Sequence, residues 1–307
     1  MPTDKRQRQR EGRQYRRAQL EAARKRRTRM RQGGLAVAIA AVIVLLVVLT
    51  SLGGSKKTNV NAGSTTTTAA GATSTTTTAA AAGKPPSAPP VTGGGTLKTW
   101  ACPNPDGSSA HIAHFPSTPP PTCIDPTKTY TVNMTTNEGN ITFTLDTKNT
   151  PKTANNFAVL SWYHYYDGTS IDRIDTSIDI EQSGSPNTQS ISDPGPGYNI
   201  PDEPTMTTNS SGQMTGPYKY SAGDVVMARG SGANSGSAQY FFVYGSAASA
   251  LDSQGTYVTF GHTDSASLAV LQKIASLYEP CPSSDQTCLG GAPKTVVLIS
   301  KVTVTAS

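Results

Sequence analysis

Eighteen consecutive residues, Leu35–Leu52 (LAVAIAAVIVLLVVLTSL), carry no charge, and none before Thr50 has a polar side chain. A helix of about 20 mostly apolar residues, with about 17 as the lower end, crosses a hydrocarbon core of about 30 Å. The run is therefore expected to be a transmembrane helix. Thirteen Lys or Arg residues stand against three acids between Met1 and Gln32, whereas only Lys56 and Lys57 follow the run closely. The positive-inside rule then makes residues 1–34 a basic cytoplasmic leader and places everything after Leu52 outside, as in a single-pass protein of the cell membrane. The competing reading is a cleaved secretory signal, which has a shorter basic region and an apolar core of about 7–15 residues before a small-residue cleavage site. Here the leader is long and TSLGGSKK is a poor cleavage site, which favours an uncleaved anchor. Either reading exports the C-terminal part.

The net charge of +6 belongs to the leader: beyond it, thirteen bases face seventeen acids. The exported part is mildly acidic, and no nucleic-acid partner is expected. The leader itself reads as a topology signal and lipid-surface anchor. All four cysteines, Cys102, Cys123, Cys281 and Cys288, lie on the exported side. An even count in an oxidising compartment implies two disulfides, and closeness in sequence favours Cys102 with Cys123 and Cys281 with Cys288. No metal site is expected, since His111 and His114 lack a third ligand nearby and no His has zinc-finger spacing to a cysteine pair.

Residues 53–96 are mostly Thr, Ala, Gly, Ser and Pro, with the block TTTTAA occurring twice. Such a segment has too little apolar surface to offset the entropy of folding and reads as a linker. Residues 97–128 form a Pro-rich segment bracketed by Cys102 and Cys123, and residues 129–307 carry globular patterning. Tyr130–Thr136 and Ile141–Leu145 alternate apolar and polar residues around a turn at Asn137-Glu138-Gly139-Asn140, which predicts a hairpin. Thr150 as N-cap and Pro151 at the first helical position predict a helix to about Tyr163. The stretch 165–216 is rich in Gly, Pro, Ser and Asp, and so long a loop region in a compact domain is usually functional. Strand patterns return at Asp224–Ala228, Gln239–Tyr244, Tyr257–Gly261 and Thr295–Val304, with helical spacing over Ser265–Leu277. A mainly β fold follows, as a closed antiparallel barrel capped by two helices.

Several segments in order resemble the cyclophilin family of peptidyl-prolyl cis-trans isomerases. They are TNEGNITFTL with NTPKTANNFAVLSWYHYYDGT, then IDRI where the family has Phe-His-Arg, GPGYNIPDEP, AGDVVMARGSGANSGSAQYFFVY and TYVTFGH. The resemblance covers about Tyr130 to Val304 and implies an eight-stranded antiparallel barrel with two capping helices. It implies catalysis without cofactor or metal, in which Arg173 donates to the prolyl nitrogen while Gln182 and Gln239 hold the substrate backbone and position the arginine. Ile171, Ile178, Met227, Ala228, Phe241, Leu251 and Tyr257 would line the proline slot or its rim. The implied partners are proline-containing exported polypeptides. The chain departs from the pattern where Ile171 and Asp172 replace Phe and His and where Ala238 stands for the usual Ser. The alternative is a weak or inactive cyclophilin-like peptide-binding module at the cell surface, with Arg173 a surface arginine paired to Asp172 or Asp175.

Overall fold

The computed structural model describes residues 86–282 and 289–307. The leader, Leu35–Leu52, the linker up to residue 85, and Cys288 lie outside the described residues. Among the described residues no helix is long and apolar enough to cross a membrane.

The elements follow the apolar periodicity. Two short strands, β1 (Gly95–Thr96) and β2 (Ile112–His114), pair in parallel ahead of the main fold. The expected hairpin forms from β3 (Tyr130–Thr136) and β4 (Gly139–Leu145). Its turn is tighter than expected, because Thr136 Oγ1 accepts from the Gly139 amide at 3.1 Å and donates to the Gly139 carbonyl at 2.6 Å. Gly139 has φ +142°, and a Cβ there would lie 3.0 Å from the Val270 side chain, so glycine suits the position twice over.

Helix α1 (Pro151–Trp162) starts at the predicted proline, but Thr150 does not cap it. Thr150 Oγ1 instead donates to the Asp146 carbonyl at 3.0 Å. The free amides of Lys152 and Thr153 donate to the Glu203 carboxylate at 2.9 and 2.7 Å. An anion from a distant loop thus satisfies the helix N-terminus in place of a local side chain. Thr153 through Trp162 are all buried, and the Pro-rich segment explains how a helix can be covered on every side. Asn155 Oδ1 accepts from the amides of Cys123 and Ile124, and its Nδ2 donates to the Pro121 carbonyl. Ile112, Phe115 and Ile124 join the same core as the sheet. The boundary drawn at residue 128 therefore divides two segments that share one core. The Cys102–Cys123 disulfide is present. Cys281 is also disulfide-bonded.

The remaining strands are β5 (Thr169–Ile171), β6 (Arg173–Asp175), β7 (Ile180–Ser183), β8 (Thr207–Thr208), β9 (Met214–Thr215), β10 (Asp224–Arg229), β11 (Gly236–Val243), β12 (Thr259–Thr263), β13 (Tyr278–Pro280), β14 (Gly291–Pro293) and β15 (Val297–Ala306). Helix α2 (Ser265–Ala275) is capped by Asp264, which accepts from the Ser267 amide at 2.7 Å. A 3-10 helix spans Ser246–Ser253. Eleven strands form one antiparallel sheet in the order β13-β14-β6-β7-β11-β10-β12-β4-β3-β15-β5.

The class is the expected one, mainly β with two α-helices among the described residues, and the closure differs. The sheet is a strongly curled half-barrel of eleven strands rather than a closed ring of eight. Only Asp172 separates β5 from β6, yet β5 pairs with β15 and β6 with β7. No ladder joins β5 to β7. Two single hydrogen bonds span the seam, Asp172 N to Gln182 O at 3.0 Å and Ser183 Oγ to Ser170 O at 2.7 Å.

Candidate functional site

Register places the polar residues in one row. Arg173 on β6 faces Gln182 on β7, which faces Phe241 on β11, which faces Val226 on β10. Side chains alternate along a strand, so Gln239 and Ala228, two residues from Phe241 and Val226, share that face. Phe241, Ile180, Val226 and Val243 form a small apolar cluster of their own, fringed by Ile178, Ala228, Leu251 and Tyr257. Phe241 meets the edge of Tyr257 with ring centroids 5.6 Å apart. The result is a cleft of about 480 Å³ with an apolar floor and Arg173 at its rim.

The guanidinium is held on three sides. Nε donates to the Leu289 carbonyl at 3.0 Å, Nη1 to Gln182 Oε1 at 3.0 Å and Nη2 to Asp175 Oδ2 at 2.5 Å. Gln182 Nε2 donates to Gln239 Oε1 at 2.7 Å, and Gln239 Nε2 to the Ile191 carbonyl at 3.2 Å. Arginine carries five N–H donors. Three are committed here, which leaves one on each Nη for a ligand.

Asp172, beside the arginine in sequence, does not pair with it. Both of its carboxylate oxygens are buried without a hydrogen-bond partner. Burial raises its pKa to about 7, with Asp193 adding to the rise while Ser185 and Arg173 oppose it. Glu181, on the face of β7 opposite Gln182, is fully buried and also unpartnered, and burial raises it well above the usual carboxylate range.

Of the residues expected from the sequence, the cleft brings together Arg173, Gln182, Gln239, Ile178, Ala228, Phe241, Leu251 and Tyr257. Met227 is placed elsewhere: it packs in the main core, paired with Tyr240, because the alternation that turns Ala228 to the cleft turns its neighbour inward. Ile171 is buried on β5 and borders a smaller pocket with Thr188, Gln189 and Val296. Ile191, Asp193, Pro194 and Gly195 wall the cleft from the long loop after β7 and were not anticipated, nor were Arg229 and Leu289. The unusual length of the 165–216 stretch was the available signal for the loop residues.

Residues 131–304 match the family described as cyclophilin type peptidyl-prolyl cis-trans isomerase/CLD. A probable peptidyl-prolyl cis-trans isomerase B of Mycobacterium leprae (strain TN) is 35% identical over 175 residues, which cover 54% of this chain and 56% of the relative. The protein of the same name from Mycobacterium tuberculosis (strain ATCC 25618 / H37Rv) is 33% identical over 175 residues, covering 56% of this chain and 53% of the relative. The chain thus spans about half the length of the curated relatives it matches. Among solved structures, a Cryptosporidium parvum cyclophilin type peptidyl-prolyl cis-trans isomerase is 22% identical with a TM-score of 0.44, over 58% of this chain and 99% of that one. The family match runs without a break over the strands that carry the Arg173 cleft and takes in more than half of the residues, and on that ground the chain belongs to the cyclophilin-type peptidyl-prolyl cis-trans isomerases.

Proposed function

We propose that the domain accelerates cis–trans isomerisation of X–Pro bonds in exported polypeptides, with Arg173 donating to the prolyl nitrogen while the proline ring sits against Phe241. The supporting observation is an arginine with two uncommitted N–H donors, fixed at the rim of an apolar cleft by Gln182 and Gln239. Amide resonance opposes rotation by about 18–20 kcal/mol, and unaided X–Pro isomerisation takes roughly tens to hundreds of seconds. No bond breaks, so neither nucleophile nor general base is required. A donor aimed at the nitrogen lone pair stabilises the pyramidal, less conjugated state and so lowers the barrier. A guanidinium suits that task because it stays charged and holds its donors in a rigid fork.

NMR exchange spectroscopy on an Ala-Pro peptide tests the reading with the full chain. Cis–trans exchange faster than the uncatalysed rate is expected. Peptide shifts without faster exchange would replace catalysis by binding alone.

The apolar run and the charge asymmetry across it support a second part of the proposal: the domain works outside the cell, tethered by Leu35–Leu52 with the leader in the cytoplasm. Reporter fusions after Ser64 are expected to be active outside and fusions at Gly12 inside. Reversed activities would refute this topology.

A further inference from the structure

We propose that Gln189, held from behind by residues 86–91 of the linker, here called the stalk, is a positioning residue that sets the arginine site through the Ile191 carbonyl. The inference rests on the isomerase reading above for its catalytic consequence and on hydrogen-bond geometry for everything else.

The polar relay at the rim has one possible direction. Arginine donates and cannot accept, so Gln182 must present its Oε1 to Arg173 and its Nε2 to Gln239. Gln239 must then accept with Oε1 and needs an acceptor for its own Nε2. The Ile191 carbonyl is that acceptor, at 3.2 Å. It is the fixed end of a relay whose direction the arginine sets, and it anchors Gln239 against the loop. A loop shift that carries the carbonyl away leaves Gln239 Nε2 without its acceptor and loosens the anchor behind Gln182 and Arg173.

Two residues before Ile191 stands Gln189, only 3% exposed and with φ +50°, a left-handed conformation that side chains rarely adopt. Its side chain makes all four hydrogen bonds that an amide can make. Oε1 accepts from the Ser170 amide and the Ser170 hydroxyl, each at 2.9 Å, and Nε2 donates to the carbonyls of Gly168 at 3.0 Å and Pro89 at 3.2 Å. Its backbone amide donates to Ser185 O at 2.7 Å. A saturated, buried amide holds the strained backbone in place, and the loop carrying Ile191 starts from it.

The Pro89 carbonyl belongs to the stalk, so this part of the stalk is docked rather than free. Ala88 is buried, the Val91 amide donates to Pro186 O at 2.8 Å, and a Cβ on Gly168 would lie 3.3 Å from Val91 Cγ2. Residues 86–91 thus brace the outer side of the loop whose inner side walls the cleft. This end of the linker therefore contributes to the geometry of the site.

The test uses the full chain and two readouts. The first is the Gln239 side-chain amide resonance, identified by its disappearance in Gln239→Ala. The second is catalysed exchange of the Ala-Pro peptide. Gln189→Ala is expected to move the Gln239 amide resonance and to slow catalysed exchange by about tenfold, the scale of a modest misplacement of a catalytic group. Gln189→Ala combined with Gln239→Ala should be no slower than Gln239→Ala alone, because two residues acting through one bond are not additive. Ala88→Asp, which lifts the stalk and leaves Gln189 intact, should move the same resonance in the same direction and decides the matter if Gln189→Ala fails to fold. An unmoved Gln239 resonance in either folded variant overturns the inference, as do rate losses that multiply. A wild-type chain without turnover overturns the isomerase reading only, and the resonance still decides the positioning role.

Discussion

Arg173→Ala is expected to lower kcat/KM by about 100- to 1000-fold, the scale of removing one preorganised donor from a polar catalytic site. On the proposed mechanism the loss should fall mainly on kcat, because the donor would act on a nitrogen lone pair that becomes available only as the amide twists. Arg173→Lys should recover little, since an ammonium on a flexible stem cannot bond Leu289, Gln182 and Asp175 together while keeping donors for the substrate. Stability should change by only about 1 kcal/mol. Asp175, left behind by the substitution, keeps its bonds from the Ser177 amide at 3.1 Å and the Ser177 hydroxyl at 2.6 Å. Activity and melting measured side by side separate this from a purely structural arginine, for which turnover would survive in a well-folded variant.

The cleft was more legible in the sequence than the reason it holds its shape. Residues separated by even numbers on one strand could be read from alternation, which is why Gln239 and Phe241, or Ile180 and Gln182, reach the same face. The same rule should have excluded Met227 once Ala228 was assigned to the cleft, since adjacent residues in an extended strand point to opposite sides. What alternation does not carry is contact between distant segments. Glu203 caps α1 from 50 residues away, and a short-range capping rule pointed to Thr150 instead. Asn155 ties the Pro-rich segment to the buried side of that helix, which no pattern within residues 97–128 indicates. The split of one strand at Asp172 likewise depends on β5 and β6 serving different neighbours, a property of the curled sheet as a whole.

The domain is expected to lose stability as pH rises from about 4 to about 7, the reverse of ordinary acid denaturation. Asp172 has an ordinary pKa of 3.8 and is raised to about 7 in the fold by burial. Between those values the folded state holds a proton that the unfolded state has released, so raising the pH favours unfolding. Above about 7 the penalty is complete and constant. A shift of this size corresponds to on the order of 4 kcal/mol. Glu181, raised by burial from 4.5, acts in the same direction. Two influences oppose them. Burial lowers the pKa of His111 from 6.5, which makes stability rise with pH just below that value, but the ring is partly exposed and its share is small. Asp106, Asp125 and Asp264 are lowered by hydrogen bonds from Ser108, Thr127 and Ser267 and contribute only as pH falls below about 3.8, outside the window. Asp172→Asn mimics the protonated carboxyl, so it should melt with the wild type at pH 4 and well above it at pH 8, and Glu181→Gln should flatten the profile further. Thermal melts across pH 4–8 decide it: a wild-type midpoint that holds steady or climbs over this range, or an Asp172→Asn profile parallel to the wild type, would mean that the Asp172 carboxyl is not kept protonated by the fold.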